Sequence, residues 1–337
     1  MNKTKYIIKR ISEMNFKNMF KVARKIAKQN HTLTVFVLID IIYCGLKYMA
    51  GYIDYDVFGF YNLDKKQRET IITRGLNNKY VAYLNDKNFT KYLDNKLLFN
   101  ERFNSFLKRD WLDLSIASLE DFDNFIDNKE SFIAKPIDLA CGRNVDKIFT
   151  RDIENSEEMY NNLIKNNQLL LEDYIVQHKE MSKIYSEAVN TLRIVTITKN
   201  GNVNIMFRSI RMGNSGNVVD NFNHGGLFTT IEENGVISKP AVDKLGNIYE
   251  YHPYTNTKII GFKIPYFDEA IDFVKKMALE IPQVGYVGWD IAITKNGPVA
   301  VEANPFPGHD IYQSKIHMNE DGTGKRKVFE KVIFDQA

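Results

Sequence analysis

The chain has 337 residues, 44% hydrophobic and 26% charged, so it can bury a large core and is neither disordered nor fibrous in composition. Its two cysteines, Cys44 and Cys141, form no Cys-x-x-Cys pair, which excludes a disulfide framework and a zinc motif and favours a reducing cytoplasm. The net charge of +3 excludes a general nucleic-acid surface, because outside residues 1–30 the chain is mildly acidic.

Residues 1–30 hold the excess positive charge: nine Lys or Arg residues and one acid give +8, against −5 for the other 307 residues. The apolar residues from Ile8 to Ile26 fall partly on one helical face, and the basic residues fall on the other. Two interpretations remain open, an ordinary surface helix or a basic amphipathic helix on an anionic membrane.

An apolar run follows at residues 33–43, LTVFVLIDIIY, which contains Asp40. It is shorter than the roughly 20 residues that span a bilayer, and it comes too late for a secretory signal. We predict that it is a buried segment of a helical N-terminal region, residues 1–85.

A small lobe is predicted over residues 86–165. Residues 94–108 favour a helix capped near Asp94, and SFIAKPI (131–137) favours a short strand. A loop containing one glycine and a second strand follow. Antiparallel β-structure is therefore expected here beside the helix.

A larger, strand-rich lobe is predicted over residues 166–325. Its elements are a strand at 168–177, a hairpin around Asn200-Gly201 at 190–213, an amphipathic helix at 265–282 and a closing hairpin at 284–305. Antiparallel hairpins with helices kept apart from them indicate an α+β fold rather than a doubly wound sheet.

The closing hairpin carries three polar side chains among apolar ones, Asp290, Glu302 and Asn304. Side chains alternate along a strand, so Glu302 and Asn304 share a face. A two-residue loop, Asn296-Gly297, would place Asp290 on the other face. A three-residue loop, residues 295–297, would place it opposite Glu302 and is our prediction.

Two opposed carboxylates repel each other and raise one another's pKa unless a cation lies between them. Carboxylate and amide oxygens suit Mg²⁺, or alternatively Mn²⁺, and Mg²⁺ completes its shell with water and substrate phosphates. The alternative is a solvated strand face with a chance pattern. The apolar flanks favour a metal site that serves a polyphosphate.

Other residues could bind such a polyphosphate. Lys135 ends a strand before a loop that contains glycine, and Lys96 lies on the upstream helix, so both ammonium groups could reach phosphate oxygens. The segment Glu172–Ile175 could bind an adenine through its backbone while Tyr174 and Ile175 supply apolar packing.

Taken in order, these motifs resemble the ATP-grasp superfamily, and more narrowly its sugar-transfer-associated members. The superfamily likeness rests on NK (95–96), AKP (134–136), LLLEDYI (169–175), GWDIAI (288–293) and VEANPFPG (301–308). The narrower likeness rests on VNTLRIVTI (189–197), RSIRMG (208–213) and DNFNHGGL (220–227). The resemblance covers about residues 45–315.

The resemblance implies an ATP-grasp fold with two α+β lobes that grip ATP. It implies that Lys96 and Lys135 hold phosphates and that a lid, residues 140–144 with Gly142 and Arg143, covers them. The implied adenine hinge is Glu172, Asp173, Tyr174 and Ile175. The implied ligands of two Mg²⁺ ions are Asp290, Glu302 and Asn304, with Glu302 bridging the ions.

Two positions depart from the superfamily pattern. The lid has only one glycine, so Arg143 could replace backbone contacts there. Gly288 stands where some of these ligases carry a catalytic arginine, which leaves Arg193, Arg208 and Arg211 as candidates. A two-residue loop at Asn200-Gly201 would place Arg193 opposite Arg208, a pair that suits an anion. An arginine that only makes a salt bridge is an equal alternative.

The resemblance implies an ATP- and Mg-dependent ligase that activates a small carboxylate as an acyl phosphate and joins it to an amine or hydroxyl. Its partners would be an amino acid and a cell-surface or capsular sugar or lipid-linked glycan, with no nucleic acid. Alternatives are a sugar kinase and a non-catalytic nucleotide-binding module. We expect a cytoplasmic protein, with residues 1–30 able to contact the inner membrane face.

Overall fold

A computed structural model of the chain describes residues 15–138, 144–214, 225–314 and 316–335. The chain divides into two compact units, one formed by residues 1–83 with 308–337 and the other by residues 84–307. The C-terminal segment therefore belongs with the N-terminal helices, whereas our prediction assigned it to the large lobe as far as residue 325.

The described residues of the first unit form helices. Its helices are α1 (Phe16–Gln29), α2 (Thr34–Tyr48), α3 (Tyr52–Val57), α4 (Lys65–Glu69), α5 (Arg74–Leu84, which ends at the first residue of the second unit) and, near the C-terminus, α13 (Arg326–Phe334). Asn15 caps α1 by accepting a hydrogen bond from the backbone N–H of Asn18 at 3.0 Å.

Helix α2 corrects our prediction for residues 33–43. Val37, Ile41, Cys44 and Tyr48 are buried in the core of the unit, but the opposite face of the helix is apolar and exposed. Periodicity identified apolar residues in this run without showing that only one side of the helix is covered. No helix among the described residues is long and apolar enough to cross a membrane.

The acid within this run has a structural role. Asp40 accepts hydrogen bonds from both terminal nitrogens of Arg68, at 2.8 and 2.7 Å, and from the hydroxyl of Tyr55 at 2.6 Å. A carboxylate between a guanidinium and a phenol can sit at the edge of an apolar core without an unmet hydrogen bond.

The second unit begins with three short helices and a four-stranded antiparallel sheet. The three short helices are α6 (Lys91–Asp94), α7 (Lys96–Arg102) and α8 (Asn104–Leu107). Two further helices, α9 (Leu119–Ile126) and α10 (Ser156–Lys165), lie between strands of the sheet along the chain. The sheet has the order β1 (Trp111–Asp113), β4 (Leu170–Asp173), β2 (Ser131–Lys135), β3 (Asp146–Phe149).

Two predicted boundaries shift in this part. Asn95 accepts hydrogen bonds from the backbone N–H groups of Leu97 and Leu98 and so starts a new helix, which breaks the continuous helix predicted for 94–108. Strand β4 pairs with β1 and β2, so it belongs to this smaller sheet, although the predicted large lobe began at residue 166.

A seven-stranded antiparallel sheet forms the rest of the unit, together with α11 (Lys179–Ile184) and α12 (Phe267–Glu280). Its order is β11 (Gly297–Asn304), β10 (Tyr286–Thr294), β5 (Thr191–Lys199), β6 (Asn202–Met212), β7 (Leu227–Thr230), β8 (Ala241–Val242), β9 (Ile248–Tyr249). The predicted amphipathic helix is confirmed as α12, whose buried residues join Trp289 and Ile291 in one core.

Candidate active site

One row of side chains crosses four adjacent strands of the large sheet, from the edge strand β11 to β6. Asp290 on β10 pairs with Glu302 on β11 and with Arg193 on β5, and Arg193 in turn pairs with Ser209 on β6. Residues paired across antiparallel strands point to the same face, so these groups meet on one side of the sheet. The predicted opposition of Asp290 and Glu302 is confirmed.

The structural cause of that opposition differs from our prediction. Thr294 pairs with Gly297, so the loop holds only Lys295 and Asn296. Between the turn and the acids, Val301 is an extra residue on β11, because Ile291 pairs with Ala300 while Asp290 pairs with Glu302. A β-bulge therefore supplies the one-residue shift that we had assigned to a longer loop.

Asp290 is buried and holds two arginines. Its carboxylate accepts hydrogen bonds from Nη2 of Arg193 at 2.7 Å, from Nη1 of Arg211 at 2.7 Å and from Nε of Arg193. Burial alone would raise the pKa of Asp290, but the two guanidinium groups outweigh it and lower the pKa to about 2. Asp290 is thus ionised and neutralised by its own sheet.

Glu302 has the opposite electrostatic environment. Burial and the neighbouring charge of Asp290 raise the pKa of Glu302 above its ordinary value. When protonated, its carboxyl group donates a hydrogen bond to Asp290. Two carboxyl groups in this position form a site that a cation would stabilise, because it would remove their repulsion.

Asn304 follows on the same face as Glu302. Its side-chain oxygen accepts a hydrogen bond from the backbone N–H of Phe306 at 2.8 Å, which fixes the turn that leaves β11. The described residues contain no cluster of three or more His, Cys, Asp or Glu side chains fit to hold a metal. The candidate set has instead two carboxyl groups and an amide, a donor set that fits Mg²⁺ when substrate oxygens and water complete the shell.

The predicted pairing of Arg193 with Arg208 is wrong. Lys199 does pair with Asn202, as expected, but Met206 is an extra residue on β6 and shifts the remaining register by one. Arg208 therefore pairs with Ile194 on the opposite face of the sheet, and its guanidinium lies 3.5 Å from Glu233. The shift brings Arg211, rather than Arg208, to the side of Asp290.

Gly288 explains how Arg193 reaches its position. Gly288 lies two residues before Asp290 on β10, so both face the same side of the sheet. A Cβ atom on Gly288 would lie 3.2 Å from Cδ of Arg193. The side chain of Arg193 therefore lies across the backbone of Gly288. It occupies the space that a residue with a side chain at position 288 would need.

A second buried ion cluster lies on the small sheet around Glu172. Its carboxylate accepts hydrogen bonds from Lys135 at 2.6 Å, Arg109 at 2.9 Å and Asn100 at 2.8 Å. Burial would raise the pKa of Glu172, but Arg109 and then Lys135 hold it at about 2. The predicted phosphate-binding lysine is thus fixed in place by this acid.

Lys96 lies within electrostatic range of both clusters. Burial, followed by the positive charge of Lys135, lowers the pKa of Lys96, while Glu302 and Glu172 act in the opposite direction. Two lysines that repel each other in a buried setting favour an anion between them. Lys96 and Lys135 therefore influence each other electrostatically, and their role in binding phosphate stays a prediction.

The predicted hinge, residues 172–175, covers the last two residues of β4 and the two residues after it. Asp173 is bonded to Lys129 at 2.5 Å and to the backbone N–H of Asp110 at 3.0 Å, so its carboxylate anchors the strand. Beyond it, Tyr174 and Ile175 are half-buried and lie outside the strand ladder. The ammonium group of Lys147 lies 3.6 Å from the ring centre of Tyr174.

Comparison with known proteins agrees with this geometry. The model of the sugar-transfer associated ATP-grasp family matches residues 68–326. The chain belongs to this family. The two-sheet unit therefore has the ATP-grasp fold predicted from the motifs. No curated protein gives a match to the sequence.

The solved structures to which this family member is similar share little of its sequence. D-alanyl-alanine synthetase A from Vibrio cholerae has a TM-score of 0.43 at 12% identity, over 72% of this chain and 64% of that one. D-alanine-D-alanine ligase from Helicobacter pylori has 0.44 at 13%, over 73% and 62%. The ATP-grasp ligase PsnB with a minimal precursor has 0.46 at 12%, over 75% and 64%. The chain spans just under two thirds of the length of each.

Sequence analysis of this ATP-grasp protein missed two site residues, Arg109 and Asn100. Arg109 bonds Glu172 and also donates to the backbone oxygen of Ala300 on β11, so one guanidinium joins the small sheet to the strand that carries Glu302. No spacing rule links residues this far apart in sequence. The available signal was the buried acid itself, since a buried carboxylate requires a cation.

Two predicted lid residues, Gly142 and Arg143, lie outside the described residues, as does most of the loop that contains them. Asn144, the last residue of that loop, has a positive φ of 56° and donates a hydrogen bond to the backbone oxygen of Asn166 at 2.9 Å. The roles of Gly142 and Arg143 remain predictions from the family resemblance.

Proposed function

We propose that this protein is an ATP- and Mg²⁺-dependent ligase that activates a small carboxylate as an acyl phosphate and joins it to an amine or hydroxyl. One observation carries the proposal: a pair of opposed carboxyl groups, Asp290 and Glu302, shares a sheet face with two half-buried arginines, Arg193 and Arg211. Membership of the ATP-grasp family supports the same activity.

Nucleotide binding is assigned to the surplus of cations on the small sheet. Lys135, Arg109 and Glu172 sum to one positive charge, and Lys96 adds a second nearby. The triphosphate would lie against Lys96 and Lys135, and the adenine against the backbone after Asp173. Neutralising a buried and a half-buried lysine would stabilise the bound state in addition to the contacts themselves.

Asp290, Glu302 and Asn304 are the residues that would hold the metal. When bound, Mg²⁺ supplies charge neutralisation for the phosphates. Burial and the charge of Asp290 oppose the ionisation of Glu302. A bound cation would therefore stabilise the ionised form of Glu302 more than that of Asp290.

The arginines are assigned to the substrate carboxylate. Arg193 occupies the space beside Gly288, where some ATP-grasp ligases would carry an arginine at position 288 itself. Arg211 contacts the carboxylate of Asp290. Both bind Asp290 in the present structure. A carboxylate or acyl phosphate entering the site offers them a second anion and leaves Asp290 available for the cation.

The reaction would proceed in two transfers. A carboxylate oxygen of the substrate attacks the γ-phosphorus of ATP, the bond to the β-phosphate oxygen breaks, and ADP leaves. The amine or hydroxyl then attacks the carbonyl carbon, loses its proton, and inorganic phosphate leaves. Arg193 and Arg211 would stabilise the oxyanion that develops at that carbon.

The acceptor is proposed to be a sugar or an amino-sugar in cell-surface polysaccharide synthesis. The family description associates these proteins with sugar transfer. A cytoplasmic enzyme acting on such precursors fits the lack of disulfide chemistry in the sequence.

Product analysis tests the reaction class. Mixtures of amino acids with amino-sugars or sugars are incubated with ATP and Mg²⁺ and examined by intact mass spectrometry. A ligase forms a conjugate lighter by one water than its two substrates and releases ADP and phosphate in equal amounts. A phosphorylated sugar would establish a kinase instead, and unchanged ATP in all mixtures would refute catalysis.

A matched pair of variants tests the arginine assignment in the mixture that reacts. Arg193→Lys keeps the charge but loses the planar fork, so turnover should fall by about 10²-fold. Arg208→Lys makes the same change on the other face of the sheet and should leave turnover within about twofold. Equal losses in both variants would contradict the assignment.

A further inference from the structure

The helical unit presents an apolar surface that its own core does not use. Seven residues on one side of α2 and at its N-terminus form this surface, which we call the apolar face. They are Leu33, Val35, Phe36, Ile39, Ile42, Tyr43 and Leu46, each 45–64% exposed. Such a set of large apolar side chains on neighbouring turns usually marks an interaction surface.

The apolar face lies opposite the side of α2 that packs. Positions 37, 41, 44 and 48 are buried, and at 100° per residue they centre on the side of the helix away from positions 35, 39, 42 and 46. The acid of this helix, Asp40, is held by Arg68. Stabilising the fold therefore does not require the exposed side to be apolar.

Helix α1, which packs against α2, is strongly basic. Its 14 residues include five cations and no acid: Lys17, Lys21, Arg24, Lys25 and Lys28, all exposed. Phe16 and Phe20 are also exposed, at 57% and 51%. An exposed basic helix with aromatic residues, beside an exposed apolar helix, is the composition of segments that lie in a membrane interface.

We infer that α1 and the apolar face of α2 dock on an anionic lipid bilayer, with both helices in the plane of the interface. Apolar side chains would enter the acyl boundary while the cations meet lipid phosphates. A second copy of the chain suits the surface less well, because it would bring two basic helices together. This inference does not depend on the proposed catalysis.

Vesicle co-sedimentation of the full-length protein tests the docking. The protein should bind vesicles of phosphatidylcholine mixed with phosphatidylglycerol at least about tenfold more strongly than vesicles of phosphatidylcholine alone. Added salt should weaken the binding, because the cations are exposed. Absence of binding, or equal binding to both vesicle types, would overturn the inference.

A matched pair of charge insertions tests the surface. Ile39→Glu puts an acid at the centre of the apolar face and should lower vesicle binding about tenfold or more. Ile116→Glu makes the same change at an apolar residue of the other unit that is 86% exposed, and binding should not change. Since both side chains are exposed, both variants should keep the circular dichroism of the wild type. Unchanged binding of Ile39→Glu would refute the proposal.

Tryptophan fluorescence reports where insertion occurs. Phe36→Trp should show a blue shift in emission when anionic vesicles are added, whereas Ile116→Trp should not. If the wild type instead forms a dimer by sedimentation velocity, and Ile39→Glu abolishes that dimer without affecting lipid binding, the face is an interface between copies and the membrane proposal fails.

Discussion

Each of the two ion clusters of the ATP-grasp unit has one buried carboxylate between two cations, but the two clusters differ in net charge. Glu172 and Asp290 are each buried, each bound by two cations, and each has a pKa lowered to about 2. Around Glu172 no second acid is bonded among the described residues, so the cluster keeps a net positive charge. Around Asp290 there is a second acid, Glu302, which brings the sum to zero when it is ionised.

The difference shows how one kind of salt bridge can serve two kinds of ligand. A cluster with surplus positive charge is prepared for an anion such as a phosphate, whereas a balanced cluster can take a cation when its arginines are drawn to a substrate anion. Replacing Glu302 in one cluster and Glu172 in the other by glutamine should therefore separate the two clusters.

The largest effect is expected for Glu302→Gln. Removing this charge should lower turnover by about 10²–10³-fold, because a cation would lose its carboxylate partner. The free energy of unfolding should stay the same or rise slightly, since Asp290 no longer faces a second acid. Steady-state ADP release and urea unfolding measure the two quantities.

The control for Glu302→Gln is Glu233→Gln, an exposed acid beside Arg208 on the other face of the sheet. It should behave like the wild type in both assays. An active Glu302→Gln variant would remove the metal assignment.

The same substitution in the other cluster should act on stability. Glu172→Gln leaves Arg109 and Lys135 buried without their carboxylate, so the free energy of unfolding should fall by about 3–5 kcal/mol. Urea unfolding measures the change against Glu302→Gln. If the two amide variants were equally stable, the contrast between the clusters would be lost.

Acid unfolding should depend on both low-pKa carboxyl groups. Each has a folded-state pKa of about 2, below the unfolded values of about 4, so each contributes about 3 kcal/mol that is present above about pH 4 and is lost as the pH falls through about 2. Glu302 acts with the opposite sign because its pKa is raised in the folded state. Its contribution to the free energy of unfolding falls as the pH rises above the ordinary pKa of a glutamate.

Urea unfolding over a series of pH values checks this dependence. The Glu172→Gln variant should lose about 3 kcal/mol less than the wild type between about pH 5 and about pH 2. A wild-type stability that is flat over this interval would contradict the ionised state of both acids.

The smallest effect is expected for Lys135→Ala. ATP affinity measured by calorimetry should fall about tenfold, because one charged contact to the phosphates is lost while Lys96 remains. Lys275→Ala, which removes an exposed lysine paired with Asp272, is the control and should bind ATP normally. Unaltered affinity in Lys135→Ala would contradict its phosphate role.

The sequence predicted the family, the two hairpins and the acids of the large sheet because these depend on local alternation and on turn residues. It predicted the pairing of Asp290 with Glu302 from an incorrect loop length. The pairing of Arg193 with Arg208 failed for a related reason. A bulge at Met206 or Val301 has no distinctive residue, so its position cannot be read from apolar alternation.

The cations around Glu172 could not be predicted in full. Lys135 lies beside a glycine loop and was found, whereas Arg109 reaches the same acid from a separate segment through tertiary packing alone. The exposed side of α2 was missed because an apolar residue is equally apolar whether or not another element covers it.

The bulge at Val301 has a consequence for how this hairpin tolerates change. The one-residue shift in register lies inside strand β11, so the residues of the loop, Lys295 and Asn296, do not determine the alignment of Asp290 with Glu302. Any other tight two-residue connection could be grafted there without disturbing them. A regular ladder that retained Val301, by contrast, would place Val301 opposite Asp290 and turn Glu302 and Asn304 to the other face of the sheet.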